Sequence, residues 1–259
     1  MAYGISLKWL AVSSFEMRFG DLSVVSDPYI TECVTTDLTW EVVEKCDLIT
    51  LSHAHWDHIT DIPRLAEKFR PKILCGDQTV YPMAQWLNYY PHKMYPMYPD
   101  TELDFGAVKI KALYGRHKGM GKGVNDLCER HRNNPLCQKD PGMAQLQFVG
   151  NMEYRNYLFT TPNGTKLLLW GSMPTPEQLA ICRAAQPDIA IIQRGTKPAD
   201  ILDKARFAAQ IGCKVLIPHH QNFTEIENPA LLQQLETDFL SLVPDGRFVN
   251  PVPGEWIHL

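Results

Sequence analysis

The sequence predicts a layered α/β fold in which two β-sheets lie between helices. Three observations carry that reading. Residues 5–10, 15–19 and 23–26 are short, β-favouring runs separated by polar breaks, so the chain opens with strands. The last third alternates instead, with helical patterns over 176–185, 198–211 and 229–243 and apolar strands at 189–192 and 215–217. Between them, the apolar run 48–51 has the length of a buried strand and leads directly into a histidine-rich segment. The 259 residues suit one large unit, and no linker divides them, so 1–259 reads as a single domain.

The elements follow in order. Asp27-Pro28 ends the third strand, and Thr39 can cap a short helix over 39–45. Ile62, Leu65, Ala66 and Phe69 recur at helical spacing, with Thr60 or Asp61 as cap and Pro63 in the first turn. A strand at 73–75 and a helix at 79–88 come next, then a Pro- and Tyr-rich loop or irregular edge over 89–99. The strand 108–113 ends at Tyr114-Gly115-Arg116-His117. Residues 118–142 change character, with glycine, proline, asparagine and basic residues dominating, and read as an inserted loop. Strands are expected again at 146–149, 157–161 and 166–170, with Asn163-Gly164 a hairpin turn between the last two. In the final helix Leu231, Leu232, Leu235, Phe239 and Leu242 form one apolar face.

Composition narrows the function. With 45% hydrophobic and 21% charged residues the chain is an ordinary globular sequence. A formal charge of −4 lacks the basic excess of a general nucleic-acid or membrane-surface binder. No stretch reaches the roughly 20 apolar residues of a membrane helix, and the apolar run 9–12 is too short for a signal peptide. A cytoplasmic location is therefore expected. The seven cysteines are scattered without a Cys-x-x-Cys, which speaks against a disulfide framework and for small buried hydrophobes. Cys128, His131 and Cys137 supply only three ligands at irregular spacing and do not make a zinc motif.

The chemistry is concentrated at His53-Ala-His55-Trp-Asp57-His58, four metal-capable side chains within six residues just after a strand. On extended backbone, positions i and i+2 point the same way, so His53 and His55 can converge on one point. A turn at Trp56 lets Asp57 and His58 face a neighbouring one. Imidazole suits zinc, iron, nickel and copper, and carboxylate extends the choice to manganese.

His-x-His-x-Asp-His after a strand resembles the signature of the metallo-β-lactamase superfamily. Further stretches extend the likeness: the strand-ending Asp27-Pro28, His117 at the close of another strand, and Pro218-His219-His220. The resemblance implies a four-layer αββα sandwich and a metal-dependent hydrolase. It implies that His53, His55 and His117 hold a first ion and that Asp57, His58 and His220 hold a second. Asp27 and His219 would support these ligands from behind. The opening strands and the Pro-His-His-Gln-Asn ending are similar to the ascorbate-6-phosphate lactonase-like hydrolases. One departure stands out. Where the family places Gly-Asp-Thr, with an aspartate bridging two ions, this chain has Gly171-Ser172-Met173. Two divalent ions about 3.5–4 Å apart need negative charge between them, so one firm ion and a second that is weaker, absent or differently bridged are expected.

The implied reaction uses metal-activated water, oriented or deprotonated by Asp57, on a small ester, lactone or phosphorylated substrate. Zinc or manganese is the expected ion, with iron or nickel as alternatives. Arg116 and Arg194 are candidate anion grips, and Lys118, Lys122, Arg130, His131 and Arg132 share the basic insertion. The aromatic residues Tyr81, Trp86, Tyr89, Tyr90, Tyr95 and Tyr98 suit a pocket mouth or a contact in a homo-oligomer. His92 and His258 receive no role. Two alternatives remain in view: a nuclease or phosphodiesterase of the same superfamily, which the charge disfavours, and a degenerate metal-binding protein marked by Ser172.

Overall fold

The structure is a computed structural model and describes residues 3–116, 129, 131–171, 173–195, 197–220 and 229–259. Strands β1 (Ile5–Ala11), β2 (Ser14–Phe19), β3 (Leu22–Ser26), β4 (Leu48–Thr50), β5 (Lys72–Cys75) and β6 (Met94–Pro96) lie side by side in that order. Strands β7 (Glu102–Asp104), β8 (Lys109–Tyr114), β9 (Arg155–Thr160), β10 (Lys166–Trp170), β11 (Ile189–Gln193), β12 (Val215–His219) and β13 (Arg247–Phe248) make a second sheet in the same manner. The last strand, β14 (Trp256–His258), closes on β1 with Leu7 opposite Ile257. Among the described residues each sheet has seven strands.

Strict alternation explains why two sheets stack with helices outside. In β3 Val24 faces the other sheet while Val25 faces helices; Leu48 and Ile49 of β4 divide the same way. In β10 Leu167 and Leu169 point inward, and Leu168 and Trp170 outward. Strands apolar on both faces belong to a doubly covered sheet. The outer face of the first sheet packs on α1 (Trp56–Ile59), α2 (Ile62–Phe69), α3 (Asp77–Leu87), α4 (Pro135–Lys139) and α5 (Pro141–Met152). The second sheet carries α6 (Pro176–Ala185), α7 (Pro198–Gln210) and α8 (Pro229–Leu242). The αββα sandwich expected from the sequence is present. Between the sheets the Tyr157 hydroxyl donates to the Leu51 carbonyl at 2.7 Å, a polar tie across an apolar core.

Several local expectations are corrected. The region 118–142 is not one loop, because α4 begins at Pro135 and α5 at Pro141, with Asp140 accepting from the Met143 N–H at 3.0 Å. The strand expected at 146–149 is the middle of α5. Met143, Leu146, Gln147 and Gly150 are buried at helical spacing, whereas Phe148 is exposed. The helix expected over 39–45 is a single 3₁₀ turn, Trp40–Val42, and the Thr39 hydroxyl bonds Glu41 instead of capping it. Asp61 does occupy the cap position of α2, but its carboxylate serves the Ile30 and Thr31 N–H groups at 2.6 and 2.9 Å. In α8 Leu242 is exposed and Val243 is buried in its place.

A remote carboxylate fixes α3. Glu153 accepts from the Thr79 N–H at 2.9 Å and the Thr79 hydroxyl at 2.6 Å, satisfying the first turn of that helix. A Cβ on Gly76 would lie 2.1 Å from the Glu153 carboxyl carbon, so the close approach requires glycine. Among the described residues no helix is long and apolar enough to cross a membrane.

Candidate metal centre

Strands β3, β4, β5 and β6 run parallel, as do β10, β11, β12 and β13. The residues singled out from the sequence follow the carboxyl ends of these strands, where open α/β sheets place ligands. Asp27 follows β3, His53 follows β4, and β12 ends in His219 with His220 next to it. The two edges meet where the His220 N–H donates to the Val12 carbonyl at 3.0 Å.

His53 Nε2 and His55 Nδ1 lie 3.0 Å apart, both residues being buried. His53 Nδ1 is 2.9 Å from the Ser52 hydroxyl. With that nitrogen carrying the proton, His53 Nε2 is left with a lone pair beside His55 Nδ1, an assignment made from the network. Two imidazole nitrogens converging this closely suit a shared cation. Ligand atoms of Asp57, His58 and His220 all lie within 4.8 Å of one another, and this is the metal-capable trio that the described residues bring together. His58 Nδ1 donates to Asp27 Oδ2 at 3.1 Å, which turns Nε2 towards Asp57, 3.7 Å away. The other oxygen of Asp27 accepts from the Ser52 N–H at 2.7 Å. Burial lowers the His58 pKa, but Asp57 and Asp27 outweigh it and raise the pKa above the ordinary value.

His219 faces elsewhere. Its Nε2 donates to the Trp170 carbonyl at 3.0 Å, and its Nδ1 is 3.3 Å from Ser13 Oγ. Burial, first of all, pushes its pKa down to about 3, so the ring is neutral. Ser13 Oγ also lies 2.9 Å from His220 Nδ1, joining both histidines to the turn between β1 and β2.

Backbone strain gathers at the same place. Val12, Asp27 and His220 have φ of 46°, 39° and 64°, the left-handed region that L side chains rarely adopt. A β-branched residue there is a marked outlier. Each such conformation costs on the order of 1–3 kcal/mol and persists only where the surroundings impose it, commonly at functional sites.

Several residues at the site were not picked out from the sequence. Tyr154 is buried with its ring 4.9 Å from that of His53, and burial raises its phenol pKa well above the usual value. It fits because residues 115 and 171 are glycines: a Cβ at Gly171 would stand 1.9 Å from the Tyr154 hydroxyl oxygen. Ser13 and Ser52 tie the histidines to backbone turns. His131, read from the sequence as one of a basic group and as part of an irregular Cys128–His131–Cys137 trio, stacks on His55 with ring centroids 4.0 Å apart. No local pattern marks these partners; Ser52, adjacent to His53, is the one that position could have suggested. Of the candidate anion grips, Arg116 is exposed just after β8, while Arg194 is buried with its backbone N–H on the His219 carbonyl. His117 and Ser172 lie outside the described residues, as do Cys128, Lys118, Lys122 and Arg130.

Comparison with known proteins finds relatives of similar sequence and fold. The family model described as the beta-lactamase superfamily domain matches residues 27–134. A metal-dependent hydrolase of the UPF0173 group from Geobacillus sp. (strain WCH70) is 25% identical over 240 residues, 92% of each chain. Igni18, described as a novel metallo hydrolase from Ignicoccus hospitalis, superposes with a TM-score of 0.70 at 17% identity over 98% of both chains. The metallo-beta-lactamase fold protein YhfI from Bacillus subtilis gives 0.65 at 18% identity, over 98% of this chain and 99% of that one. At these identities the two structures attest the fold alone.

Proposed function

We propose that this chain, which has the metallo-β-lactamase fold and matches the beta-lactamase superfamily domain model over residues 27–134, is a metal-dependent hydrolase of a small ester, lactone or phosphorylated molecule. The observation that carries the proposal is the convergence of His53 Nε2 and His55 Nδ1 at 3.0 Å, with Asp57, His58 and His220 clustered behind them. That the curated relative from Geobacillus is named a metal-dependent hydrolase supports the reading.

In this proposal His53, His55 and His117 hold one ion, as three imidazoles with an open position suit zinc. Asp57, His58 and His220 face a second, for which manganese is an alternative because a carboxylate takes part. A divalent ion held there supplies water whose pKa falls towards about 7 and a contact that polarises a carbonyl or phosphoryl oxygen. The chain's own residues do the rest. Asp57, partly exposed, orients the attacking water and accepts its proton. Asp27 holds His58 in the tautomer that keeps Nε2 facing inward. His219 stays neutral and braces His220 and the β10 end. Tyr154 and His131 wall the site and exclude bulk water. Exposed Arg116 is the better placed of the two arginines to meet an anionic substrate group.

The Pro-His-His-Gln-Asn ending makes a phosphorylated lactone the first substrate to try. The charge of −4 favours a small molecule over nucleic acid. We place the chain in the cytoplasm, consistent with seven scattered cysteines and no Cys-x-x-Cys pair.

The test is metal content by mass spectrometry on protein purified without added metal or a histidine tag, followed by a hydrolysis panel. One or two ions per chain with turnover of an ester, lactone or phosphodiester is the expected result. No ion after reconstitution with zinc, manganese and iron would overturn the proposal in favour of a degenerate site.

Asp27→Asn keeps the side-chain shape but removes the negative charge facing His58. Metal affinity, measured by chelator competition, should fall roughly tenfold, as for other residues that orient metal-bound histidines. An unchanged affinity would reduce Asp27 to a shaper of the turn after β3.

A further inference from the structure

The edge of the first sheet opposite the metal centre carries a second concave feature. There β3, β4 and β5 begin at Leu22, Leu48 and Lys72, tied side by side: the Asp47 N–H donates to the Ser23 carbonyl and the Lys72 N–H to the Asp47 carbonyl, each at 3.0 Å. These strands run parallel, so their amino ends and the histidines that follow their carboxyl ends lie on opposite edges of the sheet. The turn at 105–107, between β7 and β8, faces this row across a cleft of about 660 Å³. That is the size of a small-molecule site. Leu22, Leu48, Phe69 and Phe105 give it apolar walls.

Positive charge gathers in this cleft although the chain is negative overall. Lys45, Arg70, Lys72 and Lys93 line it, against Asp21 and Asp47. Asp47 is already engaged: its Oδ2 lies 3.2 Å from Lys45 Nζ and accepts from the Ser23 N–H at 2.9 Å. Among the described residues Arg70, Lys72 and Lys93 have no carboxylate partner. Lys72 Nζ stands 5.7 Å from the ring centroids of both Tyr95 and Phe105, and Lys93 Nζ donates to the Arg70 carbonyl. Three such cations against the one remaining carboxylate, Asp21, leave a surplus of two positive charges. The backbone that presents them is fixed. Arg70 ends α2 at a φ of 51°, its N–H returns to the Ala66 carbonyl at 3.1 Å, and the Tyr89 hydroxyl donates to the Pro71 carbonyl at 2.7 Å. Like charges held together in this way repel, and a bound anion relieves them.

We propose that this cleft is a second ligand site, for a phosphate monoester that carries an aromatic group. A phosphate monoester brings nearly two negative charges at neutral pH, which matches the surplus; a single carboxylate would leave half of it unmet. Arg70 supplies a planar fork for two phosphate oxygens, and Lys72 and Lys93 act as point charges. Phe69 and Phe105 offer the ring of the ligand an apolar, aromatic wall. The cleft shares no residue with the metal centre, and the inference stands apart from the hydrolase reading.

The experiment is a calorimetric titration of the purified protein with adenosine monophosphate as the probe, and with adenosine and inorganic phosphate as its two halves. One nucleotide per chain is expected, with a Kd below about 1 mM at low salt that weakens as ionic strength rises. Each half alone should bind at least roughly tenfold more weakly, because it meets only one wall of the cleft. Arg70→Gln and Lys93→Gln should each cost roughly tenfold in affinity, as loss of a charge-assisted hydrogen bond does, with an unchanged melting temperature. Arg70 is exposed, and glutamine at 93 keeps a donor for the Arg70 carbonyl, so both variants should fold. His55→Ala should bind the nucleotide as wild type does, which separates this cleft from the metal centre. No binding, unchanged affinity in both glutamine variants, loss of binding in His55→Ala, or either half binding as tightly as the whole would overturn the inference. None of these results alters the metal-centre reading, which metal content tests by itself.

Discussion

His55→Ala is expected to lose the ion of the three-histidine set and to lower hydrolysis by more than about 10³-fold, because water without a metal partner has a pKa of 15.7 instead of about 7. His55 is 1% exposed, and its Nδ1 is one of the two nitrogens that converge at 3.0 Å. Its ring also supports His131, stacked at 4.0 Å. The substitution therefore removes a proposed ligand and loosens one wall, and the two consequences separate experimentally. Metal content reports the ligand. The melting temperature of metal-free protein reports the packing, which here includes the ring contacts of His55 with His53 and His131. His92→Ala, at an exposed position away from the cluster, is the control and should change neither. Full metal content in His55→Ala would show that the convergence at 53 and 55 is not an ion site.

The part of the site that was legible in the sequence is the part that is local. Four ligand-type side chains after a buried strand need only alternation and one turn to converge, so residues 53–58 could be read directly. His220 was reached through resemblance, and the structure brings it to Asp57 and His58. What could not be read is the set of long-range partners. Ser13 reaches His219 and His220 across 206 and 207 positions, and Lys204 reaches Gly171 across 33. Such contacts follow from how the sheets stack and leave no periodic trace.

The fold shows the same division. Strands with apolar residues on alternate faces were found within a residue or two at each end, as with β10 at Lys166–Trp170. The short edge strands β7, β13 and β14 were missed, and β6 was read only within a loop or irregular edge, because two or three residues are defined by their pairing and hardly by their composition. Helix α5 was misread as a strand from the run Leu146–Val149, four residues that carry no period of their own. The spacing of Met143, Leu146, Gln147 and Gly150 is the signal that outweighs it.

Gly150 is also where helix propensity and the site pull in opposite directions. Gly→Ala inside a helix is ordinarily stabilising by up to ~1 kcal/mol. Here the added Cβ would stand 2.5 Å from His55 Cδ2 and 2.9 Å from both the Ala54 carbonyl carbon and the His55 nitrogen. Two of those atoms are backbone, so a rotamer change cannot relieve them. The loop is held against α5 from both sides of the contact. Gln147 accepts from the Trp56 N–H at 3.0 Å and donates to the Ala54 carbonyl at 3.4 Å. Overpacking of this kind costs about 1–3 kcal/mol, which exceeds the propensity gain. Gly150→Ala is therefore expected to lower the melting temperature and, by displacing His55 from His53, to weaken metal binding as well. The loss should be larger with metal bound than without it, since the metal-free loop can yield while the liganded one cannot. Thermal melting of both forms, with chelator competition alongside, measures the difference. A raised melting temperature with unchanged metal affinity would mean that residues 54–55 move freely away from α5, and that the helix does not clamp the histidine in place.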